Sequence, residues 1–104
     1  MSSASWTFLT NHTRVLLRLA QHPGMRLRDV AGEIGITERA AQRIVADLVE
    51  AGYLERRRVG RRNRYSVNPE RAMRHEAEHG REIGELLTLL GAGRAAGRPD
   101  EATV

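Results

Sequence analysis

The chain has 104 residues, 40% of them apolar and 29% charged, which suits one compact domain and leaves no room for a second core. No apolar run approaches the roughly 18 residues of a membrane-spanning helix, and Met1–Trp6 lacks the basic, apolar start of a secretory signal, so a cytoplasmic protein without a membrane partner is expected. The absence of cysteine excludes disulfides, thiolate metal ligands and a cysteine nucleophile, and the net charge of +4 suggests a polyanionic partner.

In chain order, Thr10 offers an N-cap hydroxyl ahead of Val15, Leu16, Leu19 and Ala20, which make one apolar stripe that stops before His22-Pro23-Gly24. Leu27, Val30, Ala31 and Ile34 recur at helical spacing as a second, short helix, which Gly35 ends. Ile36 sits inside the turn, Thr37 caps a third helix that carries Ala41, Ile44, Val45 and Leu48, and Gly52 closes it in a left-handed conformation. Two short helices joined by a glycine-containing turn are a helix-turn-helix. Tyr53–Val59 then reads as a strand, Gly60-Arg61-Arg62-Asn63 as a basic turn and Arg64–Val67 as the returning strand, a hairpin in the place of a wing. Asn68-Pro69 supplies a cap and a first-turn proline for a further helix.

Leu27–Thr37, Gln42–Leu54 and the arginine-rich hairpin together resemble the bacterial winged helix-turn-helix regulators, in particular MarR-like and ArsR-like repressors, over about residues 6–90. The resemblance implies a transcriptional regulator whose third helix enters the DNA major groove while the wing tip touches the neighbouring backbone. The fold expected is mainly α with a small β-hairpin wing. A DNA-binding domain would span 1–68, a C-terminal dimerisation helix 69–90 and a mobile tail 91–104.

Charge is distributed in keeping with this. Residues 14–64 hold twelve arginines against six acids, and from Glu70 onward five arginines face seven acids. Arg39 and Arg43 fall opposite the apolar face of the third helix, flanked by Glu38, Gln42, Ala46 and Asp47. Forked guanidinium donors match guanine O6 and N7, an amide matches adenine N6 and N7, and the carboxylate of Glu38 or Asp47 can accept from a cytosine amine. Thr37 begins the same helix. Between Arg56 and Arg64 six arginines occur in nine positions without an acid, an arrangement for which phosphate is the simplest compensating partner. Arg58, Arg61, Arg62, Asn63 and Arg64 are accordingly the expected wing contacts, with Arg61 and Arg62 at the tip. Some of Arg56, Arg57 and Arg58 would turn back to pair with Glu55 or Asp47.

Near the C-terminus Ile83, Leu86, Leu87 and Leu90 form another stripe, with the winged core already supplied. A two-fold copy of the chain is the expected partner, giving a homodimer on an inverted-repeat operator; the other reading folds the stripe back on its own domain beside Trp6 and Phe8. His75, His79 and Glu82 would share one face of that helix, the only hint of a metal-responsive ArsR-like sensor. The upstream ligands such a sensor needs are replaced here by Ser66 and Asn68, so no metal or other cofactor is expected. No phosphate loop, nucleophile elbow or HExxH helix is present, so catalysis is not expected. The alternative function is a winged-helix protein-interaction module, against which the basic wing argues. An effector pocket, if present, is expected between the DNA-binding domain and the C-terminal helix, near Trp6 and Phe8.

Overall fold

The computed structural model describes residues 5–92. Three helices form the body: α1 (Asn11–Gln21), α2 (Leu27–Ile34) and α3 (Glu38–Glu50). Each start and stop has a local cause. Thr10 Oγ1 accepts from the Thr13 N–H and Thr37 Oγ1 from the Ala40 N–H, satisfying amides that have no intrahelical partner. Gly35 (φ 82°) and Gly52 (φ 88°) take the left-handed conformation that ends α2 and α3.

The chain then forms an antiparallel hairpin, β1 (Leu54–Val59) and β2 (Arg62–Val67), with Leu54 opposite Val67 and Val59 opposite Arg62. The turn is shorter than the sequence suggests. Gly60, at φ 63°, is followed by Arg61 without a positive φ, which is the two-residue hairpin pattern that needs glycine only at its first position. Arg62 and Asn63 therefore belong to β2 and not to the turn.

One core joins these elements. Val15, Leu16 and Leu19 of α1 meet Val30 of α2, Val45 and Leu48 of α3, and Tyr53, Leu54 and Tyr65 of the hairpin. Burying side chains of this size stabilises a fold by about 1.5–3 kcal/mol each before entropy is charged.

The segment after the hairpin departs from expectation. No helix resumes at Pro69; the Asn68 side chain donates to the Gly52 carbonyl (3.3 Å) and its main-chain N–H to the Tyr53 carbonyl (2.9 Å), tying the chain back to the end of α3. The stretch from Glu70 to Gly80 has little apolar periodicity, and left-handed His79 and Gly80 would interrupt any helix there. Residues 69–73 instead run out and 81–84 run back beside them, with an isolated bridge between Ala72 and Glu82 and a 3-10 turn at Glu76–Glu78. Tyr53 Oη fastens this loop by donating to the Ala72 carbonyl (2.6 Å).

A five-residue helix, α4 (Ile83–Leu87), and a π turn (Thr88–Ala92) end the described chain. The Arg81 guanidinium donates to Glu85 (2.7 Å) beside the start of α4 and holds that carboxyl below its ordinary pKa. Ile83, Leu87 and Ala92 are buried in the same core as α1–α3, while Leu86 and Leu90 are half-buried. The stripe for which a partner was expected thus meets its own domain with three of its four members, Ile83 and Leu87 buried in the core and Leu86 packed against it. Trp6 and Phe8 do not cover it: they stack edge-to-face at 5.0 Å and stay exposed. Gly91 and Ala92 are part of the fold, and the rest of the expected mobile tail lies outside the described residues.

Gly84 marks the tightest approach. A Cβ there would lie 2.7 Å from Pro69 Cβ and 2.8 Å from the Pro69 carbonyl oxygen, which already accepts the Gly84 N–H at 2.8 Å. Gly84→Ala should therefore cost about 1–3 kcal/mol in urea unfolding. Unchanged stability would show that residues 69 and 84 are not apposed.

Candidate nucleic-acid interface

The exposed side of α3 carries Glu38, Arg39, Gln42, Arg43, Ala46 and Asp47, and its other side is buried through Ala41, Ile44, Val45 and Leu48. Arg39 and Arg43 are one helical turn apart and project side by side. Gln42 Nε2 lies 3.5 Å from Glu38 Oε2, a long contact that leaves the amide free to turn elsewhere. Thr37 is occupied as the helix cap. Asp47 is turned away: its Oδ2 lies 2.8 Å from His12 Nε2 of α1, and neither it nor Glu55 pairs with a wing arginine.

The hairpin register sorts its arginines onto two faces, because residues opposite one another project to the same side. Arg57 stands directly opposite Arg64, and Arg62 is two residues along the same face. Arg56 and Arg58 share the other face with Leu54, Tyr65 and Asn63. Arg58 Nε donates to the Gly60 carbonyl at 3.4 Å, and Arg61 stands in the turn. A pair of like charges set directly opposite is unfavourable unless an anion intervenes. Among the described residues the ion pairs are His12–Asp47, Arg18–Glu33 and Arg81–Glu85, so no arginine of α3 or of the hairpin is neutralised by a carboxylate.

Between hairpin and helix lies a cleft of about 500 Å³, walled by Arg61, Arg62 and Asn63 on one side, Glu38 and Gln42 on another, and Arg26 and Arg28 on the third. The fold thus brings Glu38 and Gln42 of α3 together with Arg61, Arg62 and Asn63 of the wing, while Arg39 and Arg43 stand exposed on α3 outside the cleft wall. It adds Arg26 and Arg28 at the start of α2, and Arg57 on the strand, none of which the sequence distinguished as a contact. For Arg57 the signal was the alternation of the strand; for Arg26 and Arg28, some 30 residues upstream of the wing, only the fold supplies it.

A second groove, of about 750 Å³, lies away from this face. It runs between the start of α1, the end of α3 and residues 73–86, with Leu16, Leu48, Tyr53 and Ile83 on its floor and the His12–Asp47 pair at its edge. It lies between the winged domain and the C-terminal segment, where a pocket was expected, but neither Trp6 nor Phe8 lines it. His75 Nδ1 accepts the Ala77 N–H (2.9 Å), and the helical face that would have aligned His75, His79 and Glu82 does not form.

A helix-turn-helix followed at once by a two-stranded hairpin, with the hairpin's arginines beside the second helix of the motif, defines a winged-helix protein. Residues 7–64 match the model of the MarR family, more than half of the chain, and the protein belongs to that family. It is a transcriptional regulator of the winged-helix type. The match ends inside β2 and leaves out the returning loop and α4. No curated protein and no solved structure matches the sequence. Among the described residues no helix is long and apolar enough to cross a membrane.

Proposed function

We propose that this regulator binds double-stranded DNA with α3 in the major groove and the hairpin on the adjacent backbone or minor groove. The observation that carries the reading is that the exposed arginines of α3 (Arg39, Arg43) and of the hairpin (Arg57, Arg61, Arg64) have no carboxylate partners, on two elements that face each other across the cleft through Gln42 and Arg61. Forked donors suit phosphate and guanine alike, and their position decides which each meets. On the first two turns of α3, Arg39, Gln42 and Arg43, with Glu38, are placed to meet base edges. Arg57, Arg61 and Arg64 are placed for phosphates, and Arg26 and Arg28 extend that track along the start of α2.

MarR family regulators commonly act as dimers, and a homodimer on an inverted-repeat operator is part of the proposal. With Ile83 and Leu87 inside the core, the contact falls to the outer members of the C-terminal stripe, half-buried Leu86 and Leu90, together with exposed Leu89. Occupation of such an operator acts as repression.

Affinity selection of fragmented genomic DNA by the purified protein at roughly 150 mM salt tests this, since specific complexes survive there while purely electrostatic ones weaken. Enrichment of an inverted repeat with half-sites about ten base pairs apart is expected. No enrichment would favour a protein-interaction module instead. Within the selected site, Arg43→Ala should cost about 1–3 kcal/mol of binding and relax the preference at one base pair. Equal losses on every duplex would move Arg43 to the backbone.

A further inference from the structure

The wing is braced against the body at two points, and one of them is a side chain. A two-stranded hairpin alone is marginally stable in water, so its direction depends on what holds its free edge. At the root of β2 the Tyr65 N–H points outward from the ladder and donates to the Pro23 carbonyl at 3.0 Å. This is consistent with the register: a two-residue turn makes Val59–Arg62 a hydrogen-bonded pair, and alternation then makes Arg56–Tyr65 a non-hydrogen-bonded one. Main-chain pairing goes no further, because the chain leaves the edge after Met25 to enter α2.

Three residues nearer the tip, where the edge would otherwise be unsupported, Arg62 Nη2 donates to the Gly24 carbonyl at 2.7 Å. Arg64 closes over the same residue, with Nη1 3.3 Å from the position a Gly24 Cβ would take. The turn between α1 and α2 thus acts as a short third strand, completed by the Arg62 guanidinium.

We infer that Arg62 is a positioning residue, which sets the wing's angle to α3 through Gly24, and that it is not one of the phosphate contacts. The inference rests on the DNA-binding reading for its functional consequence, but its structural half can be read without DNA. Arg62 differs in this from its neighbour Arg61, which stands in the turn and makes no hydrogen bond to the body. The charge-assisted bond to Gly24 commits the Arg62 guanidinium to the body, whereas that of Arg61 has no such tie.

The test compares Arg62→Ala, Arg62→Gln, Arg62→Lys and Arg61→Ala in the full chain. In the free protein, Arg62→Ala should speed hydrogen exchange at the Tyr65 amide by roughly 10-fold, as expected for loss of one hydrogen bond to a charged group, while Arg61→Ala leaves it unchanged. On the selected duplex, Arg62→Ala should weaken binding by roughly 10-fold without changing the slope of log affinity against log salt, whereas Arg61→Ala should reduce that slope by about one. Arg62→Lys, which keeps a charged donor of similar reach, should restore more of the protection at Tyr65 than Arg62→Gln, whose amide is shorter and uncharged.

A reduced salt slope in Arg62→Ala would make Arg62 a phosphate contact and overturn the inference. So would unchanged exchange at Tyr65. If the wild-type protein bound no DNA at all, the DNA-binding reading would fall, and the exchange result would still decide whether Arg62 braces the hairpin.

Discussion

Leu87→Ala is expected to lower the free energy of unfolding by about 2–5 kcal/mol, as large an effect as truncation of any leucine in the core. Leu87 is completely buried, yet it lies on the short α4, beyond the span that matches the family model. Truncating it removes three carbons from a fully buried site in the core shared with α1–α3. In a domain of this size each kcal/mol is worth about 4–8 °C in Tm, so calorimetry should register the change plainly. Leu90→Ala, at a half-buried position, should cost clearly less. If the two substitutions were equally mild, the C-terminal stripe would lie off the domain and be free to serve only as a contact between chains.

The second large effect concerns binding. Replacing Arg57, Arg61 and Arg64 together by alanine should weaken DNA binding by about 100-fold or more at 150 mM salt and reduce the salt slope by about 2.7, three phosphate contacts at about 0.9 each. The same triple variant should unfold at the same or a slightly higher urea concentration, since Arg57 and Arg64 no longer repel each other across the ladder. A wing assembled for the fold would show the reverse pattern, with stability lost and DNA affinity kept. Fluorescence anisotropy at stepped salt, alongside urea melts, separates the two.

The helical body was legible in the sequence because its signals are local. Thr10 and Thr37 cap the helices they precede, Gly35 and Gly52 end the ones they follow, and the apolar positions of α1–α3 recur at one helical period. The hairpin was legible for the same reason, apart from its turn. There Gly60 alone satisfies the backbone, and the adjacent arginines draw the eye past the true end of the loop.

The segment after Val67 was not legible. Asn68-Pro69 looks like a helix start, but Asn68 is tied by its side-chain and main-chain N–H groups to the carbonyls of Gly52 and Tyr53, 16 and 15 positions earlier, which only the fold brings near. The stripe from Ile83 to Leu90 does mark a helical stretch, shortened to α4 and the π turn. Whether such a stripe seeks its own core or a second chain depends on where the preceding loop delivers it, and no periodicity contains that information. In the candidate site the arginines of α3 and the wing stood out by spacing and density. Arg26, Arg28 and the bracing role of Arg62 depend on long-range apposition, as between Gly24 and Arg62, 38 residues apart.

The central claim is that DNA lies on the face made by α3 and the hairpin, and hydrogen exchange of the full chain with and without a saturating selected duplex tests it most directly. New protection is expected at residues 26–28, 38–43 and 57–64, with the groove between α1 and residues 73–86 unchanged. Protection confined to that groove, or none anywhere at saturation, would contradict it.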